Sequence, residues 1–176
     1  AYVGPIVDRY LTQLEATLET ERLTAPLRIM RSDGGVATPA STRINPAHTL
    51  LSGPAGGVVA ASALIADLDI SDAVTFDMGG TSADFSVIVD GEARMVGDRV
   101  ISSQPLRLPT LDVETISAGG GSVGSIDMGG ALRVGPHSAG SVPGPACYPE
   151  GGEEPTVTDA AVVMGLLDPD FYLGGR

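Results

Sequence analysis

The stretch Ala73–Val89, A-V-T-F-D-M-G-G-T-S-A-D-F-S-V-I-V, restricts what this chain can fold into more than any other segment. β-Branched and aromatic residues on both sides of Gly79-Gly80 predict two strands joined by a tight turn. Glycines let the backbone bend sharply and approach a ligand closely. Successive N–H groups at such a turn, with the hydroxyls of Thr81 and Ser82, form a concavity that suits an anion such as a phosphate. Asp77, at the end of its strand, is suited to hold a hard cation such as Mg2+. The alternative is a plain glycine hairpin with two solvated aspartates.

The ten basic residues are all arginine, and 22 acids give a net charge of −12. A surface that grips nucleic-acid phosphates needs a basic stripe, so that class is excluded. Without lysine there is no Walker A loop either. A nucleotide site in this chain must therefore rest on main-chain N–H groups, hydroxyls, a metal or arginine. The 176 residues make one domain's worth of chain, and the 24 glycines and 13 prolines predict many turns without a collagen period. Cys147 is the one cysteine, which rules out an internal disulfide and fits a reducing cytoplasm. The stretch reads as carrying no signal peptide and no apolar run of membrane-spanning length. The opening at Ala1 without methionine and the stop at Leu173-Gly174-Gly175-Arg176 read as cuts from a longer chain.

Pro5 and the spacing of Ile6, Tyr10, Leu11, Leu14 and Leu18 predict an amphipathic helix ending near Glu21. Leu27–Met30 reads as a strand and Arg31–Gly35 as the loop after it. Ser52 is placed to cap a helix running to Leu68, with Pro54 in its first turn. That helix start suits either an anion or close packing. Asp90-Gly91 predicts a turn into a third strand, Glu92–Val96, and so an antiparallel meander. From Ser102 to Pro155 glycine, proline and serine dominate, with short strands expected at Val113–Ile116, Val123–Ile126 and Leu132–Val134. Thr158 is placed to cap a last helix, Asp159–Leu167, which Asp168-Pro169 ends.

Gly119-Gly120-Gly121-Ser122-Val123-Gly124 fits two catalytic patterns, and its surroundings support neither. A dinucleotide loop needs a following helix and an acid about 20 residues on. A nucleophile elbow needs strand, turn and helix, then an acid and a histidine downstream. What stays open is a glycine loop lining a phosphate site or one folded for shape alone. His137 and Cys147 are too few for a metal site. Of the remaining aspartates, Asp112, Asp127 and Asp159 read as caps and turns.

Several strings together resemble the hydantoinase/oxoprolinase family: Arg31–Gly35, Ser52–Val58, Phe76–Asp84, Ile116–Val123, Leu132–Gly140, Pro143–Tyr148 and Pro155–Ala160, all in family order. The family holds the ATP-dependent N-methylhydantoinase A subunit, 5-oxoprolinase and subunits of acetone and acetophenone carboxylases. The resemblance implies an α/β fold, part of an actin-like ATPase (ribonuclease H-like) domain, with an antiparallel hairpin and a mixed sheet flanked by helices. Residues 1–176 would then form a single domain, a piece of one lobe of a two-lobed ATPase. It implies ATP and Mg2+ as cofactors, with Asp77 and Asp84 catalytic and Asp77 also the metal ligand. Gly79, Gly80, Thr81 and Ser82, with Gly119, Gly120, Gly121 and Ser122, would bind the nucleotide. The implied reaction is ATP-driven opening of a hydantoin or 5-oxoproline ring, in the cytoplasm, with a partner subunit of the hydantoinase B type. A ketone carboxylase subunit, a sugar-kinase-like phosphotransferase and a noncatalytic interaction module stand as alternatives. Ala83 replaces the usual threonine and His137 a common glutamate, departures that bear on substrate.

Overall fold

A computed structural model describes residues 2–101 and 103–171; the reading of the two chain ends lies outside them. The chain divides into two compact units, Ala1–Thr75 with Ser86–Val113, and Phe76–Phe85 with Glu114–Arg176.

The first unit opens with helix α1, Gly4–Thr20, as the spacing predicts, with proline in its first turn. Leu11 is fully buried, whereas Ile6 and Tyr10 of the expected apolar stripe are exposed. Strands β1 (Ile29–Met30) and β2 (Val36–Ala37) pair antiparallel around the Arg31–Gly35 turn. Helix α2 (Pro39–Ile44), unforeseen in the sequence, is capped by the Thr38 hydroxyl accepting from the Ser41 N–H. Its Arg43 reaches Asp8 and Glu15 of α1 at 2.8 and 2.6 Å. A short 3-10 turn, Pro46–Thr49, leads to α3, Ser52–Asp67. Here the expected cap is corrected: Ser52 is the first helical residue, and Leu51 precedes it in the left-handed region at φ 61° with no side-chain cap. From α3, Ala55 and Val58 join Leu111 and Val113 in the core, whereas Gly53 and Gly57 face open space.

Strands β3 (Ala73–Met78) and β4 (Ala83–Val89) are hydrogen-bonded neighbours linked by residues 79–82, the hairpin the sequence predicts. Asp90 and Gly91 both have positive φ, 52° and 77°, as a primed hairpin turn requires. They lead into β5, Glu92–Ala93, which pairs with β4. The expected third strand then breaks. β6 (Met95–Val96) pairs instead with β9 (Thr110–Leu111), and between them β7 (Arg99–Ile101) pairs with β8 (Gln104–Leu106). Arg99 bonds Asp112 at 3.0 Å and also the Val113 carbonyl, fixing the end of this segment.

In the second unit β10 (Glu114–Ile116) runs antiparallel to the first residues of β4, with Thr115 opposite Asp84. β11 (Ser122–Ile126) and β12 (Leu132–Ser138) form a second antiparallel ribbon with a bulge near Ser122. Every register defined is antiparallel, and no parallel partner completing a mixed sheet lies among the described residues. The last helix, α4, spans Val157–Val163, shorter than expected, and its cap is Thr156 rather than Thr158. The reason is reciprocity: Thr156 and Asp159 form a capping box, whereas the Thr158 hydroxyl donates to the Gly120 carbonyl at 2.9 Å. No helix among the described residues is long and apolar enough to cross a membrane.

Burial on β4 alternates sharply: Ile88 is 0% exposed and its neighbour Val87 49%. Ile88→Ala should lower stability by about 2–5 kcal/mol through the cavity it leaves. Val87→Ala should cost less than about 1 kcal/mol. Urea unfolding midpoints of the two variants test this directly, and equal losses would contradict the assigned strand faces.

Candidate functional site

The turn after β3 is closed by the Gly79 N–H donating to the Ser82 carbonyl at 2.9 Å. Gly79, Gly80 and Thr81 are exposed and Ser82 is half-buried, so the bend lies at the surface. Among the described residues, the N–H groups of Gly80, Thr81 and Ser82 and the two hydroxyls have no hydrogen-bond partner. Three consecutive N–H groups at one exposed bend are thus left without a protein acceptor among the described residues.

The glycine loop 119–121 lies directly against this bend. The Gly120 N–H donates to the Gly79 carbonyl at 2.8 Å and the Gly121 N–H to the Gly80 carbonyl at 2.7 Å. The Gly119 N–H donates to the Ser122 hydroxyl at 2.9 Å, and the Ser122 N–H returns a bond to the Gly119 carbonyl at 3.0 Å. The four amides are thus committed inside the protein, and the loop braces the turn rather than adding donors to it. Glycine is required for this approach. A Cβ at Gly119 would stand 2.5 Å from both the Thr81 and Ser82 nitrogens, and one at Gly121 2.9 Å from the Gly80 carbonyl oxygen. Ser122 is fully buried at the start of β11, which removes it as a nucleophile.

The two carboxylates of the motif differ. Asp77 is exposed and has no hydrogen bond or ion pair among the described residues. Asp84 is half-buried and accepts the Thr115 hydroxyl at 2.5 Å across the β4–β10 pairing. No cluster of three or more His, Cys, Asp or Glu side chains fit to hold a metal occurs among the described residues. A cation here would rest on Asp77, water and ligand oxygens, an arrangement magnesium accepts.

The other aspartates serve structure. Asp112 pairs with Arg99, and Asp127 accepts from the Gly129 and Ala131 N–H groups and Arg133, each at 2.9 Å. These bonds, the Ala131 N–H foremost, hold the Asp127 carboxyl below its ordinary pKa. Asp159 does more than the capping that the sequence suggests. Besides capping α4 it accepts from the Ala146 and Cys147 N–H groups at 3.2 and 2.6 Å. The loop 143–148 is thereby tied to the helix start. Desolvation raises the Asp159 pKa, but bonds from Cys147 and Thr156 outweigh it and bring it down to about 2. Desolvation, then hydrogen bonding to Asp159 and its charge, pushes the Cys147 thiol up to about 11, so it stays protonated at neutral pH. His137 pairs with Glu154 at 3.2 Å. The spacing Thr156-x-x-Asp159 is a capping-box signal legible in the sequence. The loop contact is not.

Comparison with known proteins gives one family. The model described as hydantoinase/oxoprolinase matches residues 1–176. The chain is 38% identical over 175 residues to caprolactamase subunit alpha of Pseudomonas jessenii, covering 99% of this chain and 25% of that one. It is 40% identical over 173 residues to 5-oxoprolinase 1 of Arabidopsis thaliana, covering 98% and 13%. A nucleotide-free structure of acetone carboxylase superposes with TM-score 0.78 and 32% identity, over 94% of this chain and 23% of that one. The chain thus spans about a quarter or less of these relatives. Its fold is that of these ATPase-like enzymes.

Two outcomes follow from the geometry. Gly119→Ala should cost about 1–3 kcal/mol or more, because the clash is with backbone. Gly80→Ala, which meets nothing within 4 Å, should stay within about 1 kcal/mol. Denaturant midpoints distinguish them. Because the folded pKa of Asp159 lies below the unfolded value, its contribution is complete above about pH 4 and lost as pH falls through about 2. In stability measured from pH 7 down to 2, Asp159→Asn should be weaker at pH 7 and flatter on the acid side. An unchanged acid limb would refute the assignment.

Proposed function

Since the chain belongs to the hydantoinase/oxoprolinase family, we propose that it supplies the second phosphate-binding side of the nucleotide site in an ATP-dependent cyclic amidase. The observation that carries this reading is the exposed bend at residues 79–82. It offers three N–H groups and two hydroxyls that, like Asp77 beside them, have no partner among the described residues. Gly80, Thr81 and Ser82 receive the terminal phosphate oxygens of ATP through main-chain N–H groups. Gly79 shapes the turn, and Gly119, Gly120, Gly121 and Ser122 hold it rigid from behind. Preorganised donors of this kind stabilise charge without rearranging during the reaction.

Asp77 would hold Mg2+, which when bound neutralises charge on the transferring phosphoryl group. Asp84, its orientation fixed by the Thr115 hydroxyl, stands on the strand leaving the turn and orients the reacting oxygen. Transfer of the terminal phosphoryl group from ATP to the amide oxygen releases ADP and makes the ring carbon electrophilic. Water adds there, and the ring C–N bond breaks to free the amine. A second water hydrolyses the resulting acyl phosphate to carboxylate and inorganic phosphate. The substrate class is a small cyclic amide, such as a hydantoin, 5-oxoproline or a lactam. A partner subunit of the hydantoinase B type and a cytoplasmic location belong to the same reading. The likeness to acetone carboxylase supports a second reading, in which the same turn drives activation for ketone carboxylation.

The test uses the full-length protein with its partner subunit. ATP hydrolysis is measured with hydantoins, 5-oxoproline, caprolactam and acetone in turn. Asp77→Ala should lower stimulated turnover by about 100-fold or more. Its unfolding midpoint should not move, since the side chain has no protein partner among the described residues. Undiminished turnover would remove Asp77 from the site, and stimulation by acetone alone would select the carboxylase reading.

A further inference from the structure

Thr158 stands in the first turn of α4 but does not cap it, since Thr156 and Asp159 already form the capping box. Its N–H is one of the first-turn donors that a helix leaves without an internal acceptor. That N–H and the Thr158 hydroxyl both go to one distant atom, the Gly120 carbonyl oxygen, at 2.8 and 2.9 Å. The fit is close, for a Cβ at Gly120 would stand 2.9 Å from the Thr158 hydroxyl.

The consequence lies in what that carbonyl is joined to. A peptide unit is a rigid plane, and in the trans form its C=O and N–H point in opposite directions. The Gly120 carbonyl shares such a unit with the Gly121 N–H, which donates to the Gly80 carbonyl at 2.7 Å. The Gly80 carbonyl shares the next unit with the Thr81 N–H, which has no acceptor among the described residues. Neither unit is cis. A second chain starts from the Ser122 N–H on the Gly119 carbonyl, passes from the Gly120 N–H to the Gly79 carbonyl, and ends at the Gly80 N–H. Hydrogen bonds in series polarise one another, each gaining about 10–30% in strength.

We propose that Thr158 is a positioning residue, whose hydroxyl acts through the Gly120–Gly121 and Gly80–Thr81 peptides to orient and polarise the Thr81 N–H toward a phosphate oxygen. This rests on the reading of the bend as the phosphate side of a nucleotide site, and it adds a residue from outside the bend on which donor strength depends. The two chains differ at their heads. The one ending at Thr81 begins at a side-chain hydroxyl, which substitution can remove, and the one ending at Gly80 begins at main chain. Removing the hydroxyl leaves the Thr158 N–H on the Gly120 carbonyl. The loop therefore stays attached while its chain loses one of two head donors.

The experiment compares Thr158→Val, which loses the hydroxyl, with Thr158→Ser, which keeps it, in the full-length protein. Thr158→Ala serves as the hydroxyl-free variant if the valine variant does not fold. With threonine and glycine isotope-labelled at nitrogen, the amide proton of Thr81 should move upfield in Thr158→Val, that of Gly80 should move less, and Thr158→Ser should restore both. With the partner subunit and the substrate that stimulates ATP hydrolysis, kcat/KM for ATP should fall about 3–10-fold in Thr158→Val, the size of one lost neutral hydrogen bond. Thr158→Ser should recover most of that loss. A Thr81 amide unmoved in folded Thr158→Val, or a loss in Thr158→Ser equal to that in Thr158→Val, would overturn the proposal and leave Thr158 a packing residue. Asp77→Ala, assayed alongside, separates the two readings. If it lowers turnover while Thr158→Val does not, the positioning role alone fails. If neither lowers turnover, the nucleotide-site reading fails and this role falls with it, whatever the amide shifts show.

Discussion

The second unit depends on one backbone contact: the glycine loop 119–121 hydrogen-bonded to the turn at residues 79–82. Two carbonyls of the turn accept from two amides of the loop, and the α-carbon of Gly119 lies where no side chain fits. A hairpin turn alone in water is mobile, and its N–H groups sample many directions. Here two of its carbonyls are fastened by the loop, while the N–H groups of Gly80, Thr81 and Ser82 have no protein acceptor among the described residues. The loop is held in turn by Thr158 at the start of α4, which bonds the Gly120 carbonyl through both its N–H and its hydroxyl. Asp159 next to it secures the loop 143–148. Stability and site geometry here rest on the same few bonds.

That arrangement explains what the sequence made legible. The hairpin was readable because β-branched and aromatic runs meet at a glycine pair, a local signal. The helices α1 and α3 were readable from spacing and from small residues. Features set by distant partners were not. The cap of α4 shifted because Thr158 is drawn to Gly120, 38 residues earlier. The role of Asp159 depends on amides 12 and 13 residues away. The strand expected at Glu92–Val96 splits because its two ends find different neighbours, β4 and β9. Composition announced a glycine loop, but only the fold reveals that its amides point into the protein and not toward a ligand.

The first unit follows a related logic with different groups. Its core is built from Ala55 and Val58 of α3 against Leu111 and Val113. The entry to α3 is fixed by polar contacts from Ser32 rather than by a capping side chain. A strained Leu51 is the cost of that route, and the contacts of the buried Ser32 with the His48 and Leu50 carbonyls hold the residues before it in place. The string R-S-D-G-G therefore does its structural work from a distance, on a helix that starts some twenty residues later.

The charge pattern narrows the chemistry further. In the second unit Arg133 is the one arginine among the described residues, and it is paired with Asp127. Among the described residues of that unit no free arginine or lysine side chain stands ready to meet a polyphosphate, in a chain whose net charge is −12. Main-chain donors carry only partial charges, so three N–H groups cannot by themselves balance a nucleotide's phosphates against so acidic a background. The unpaired carboxylate of Asp77 beside the turn would worsen that imbalance if it faced phosphate directly. It becomes an asset only with a divalent cation between them. The absence of lysine, the paired arginine and the aspartate without a partner among the described residues thus all support the proposed reading, in which a phosphate at this bend would bring a divalent cation with it.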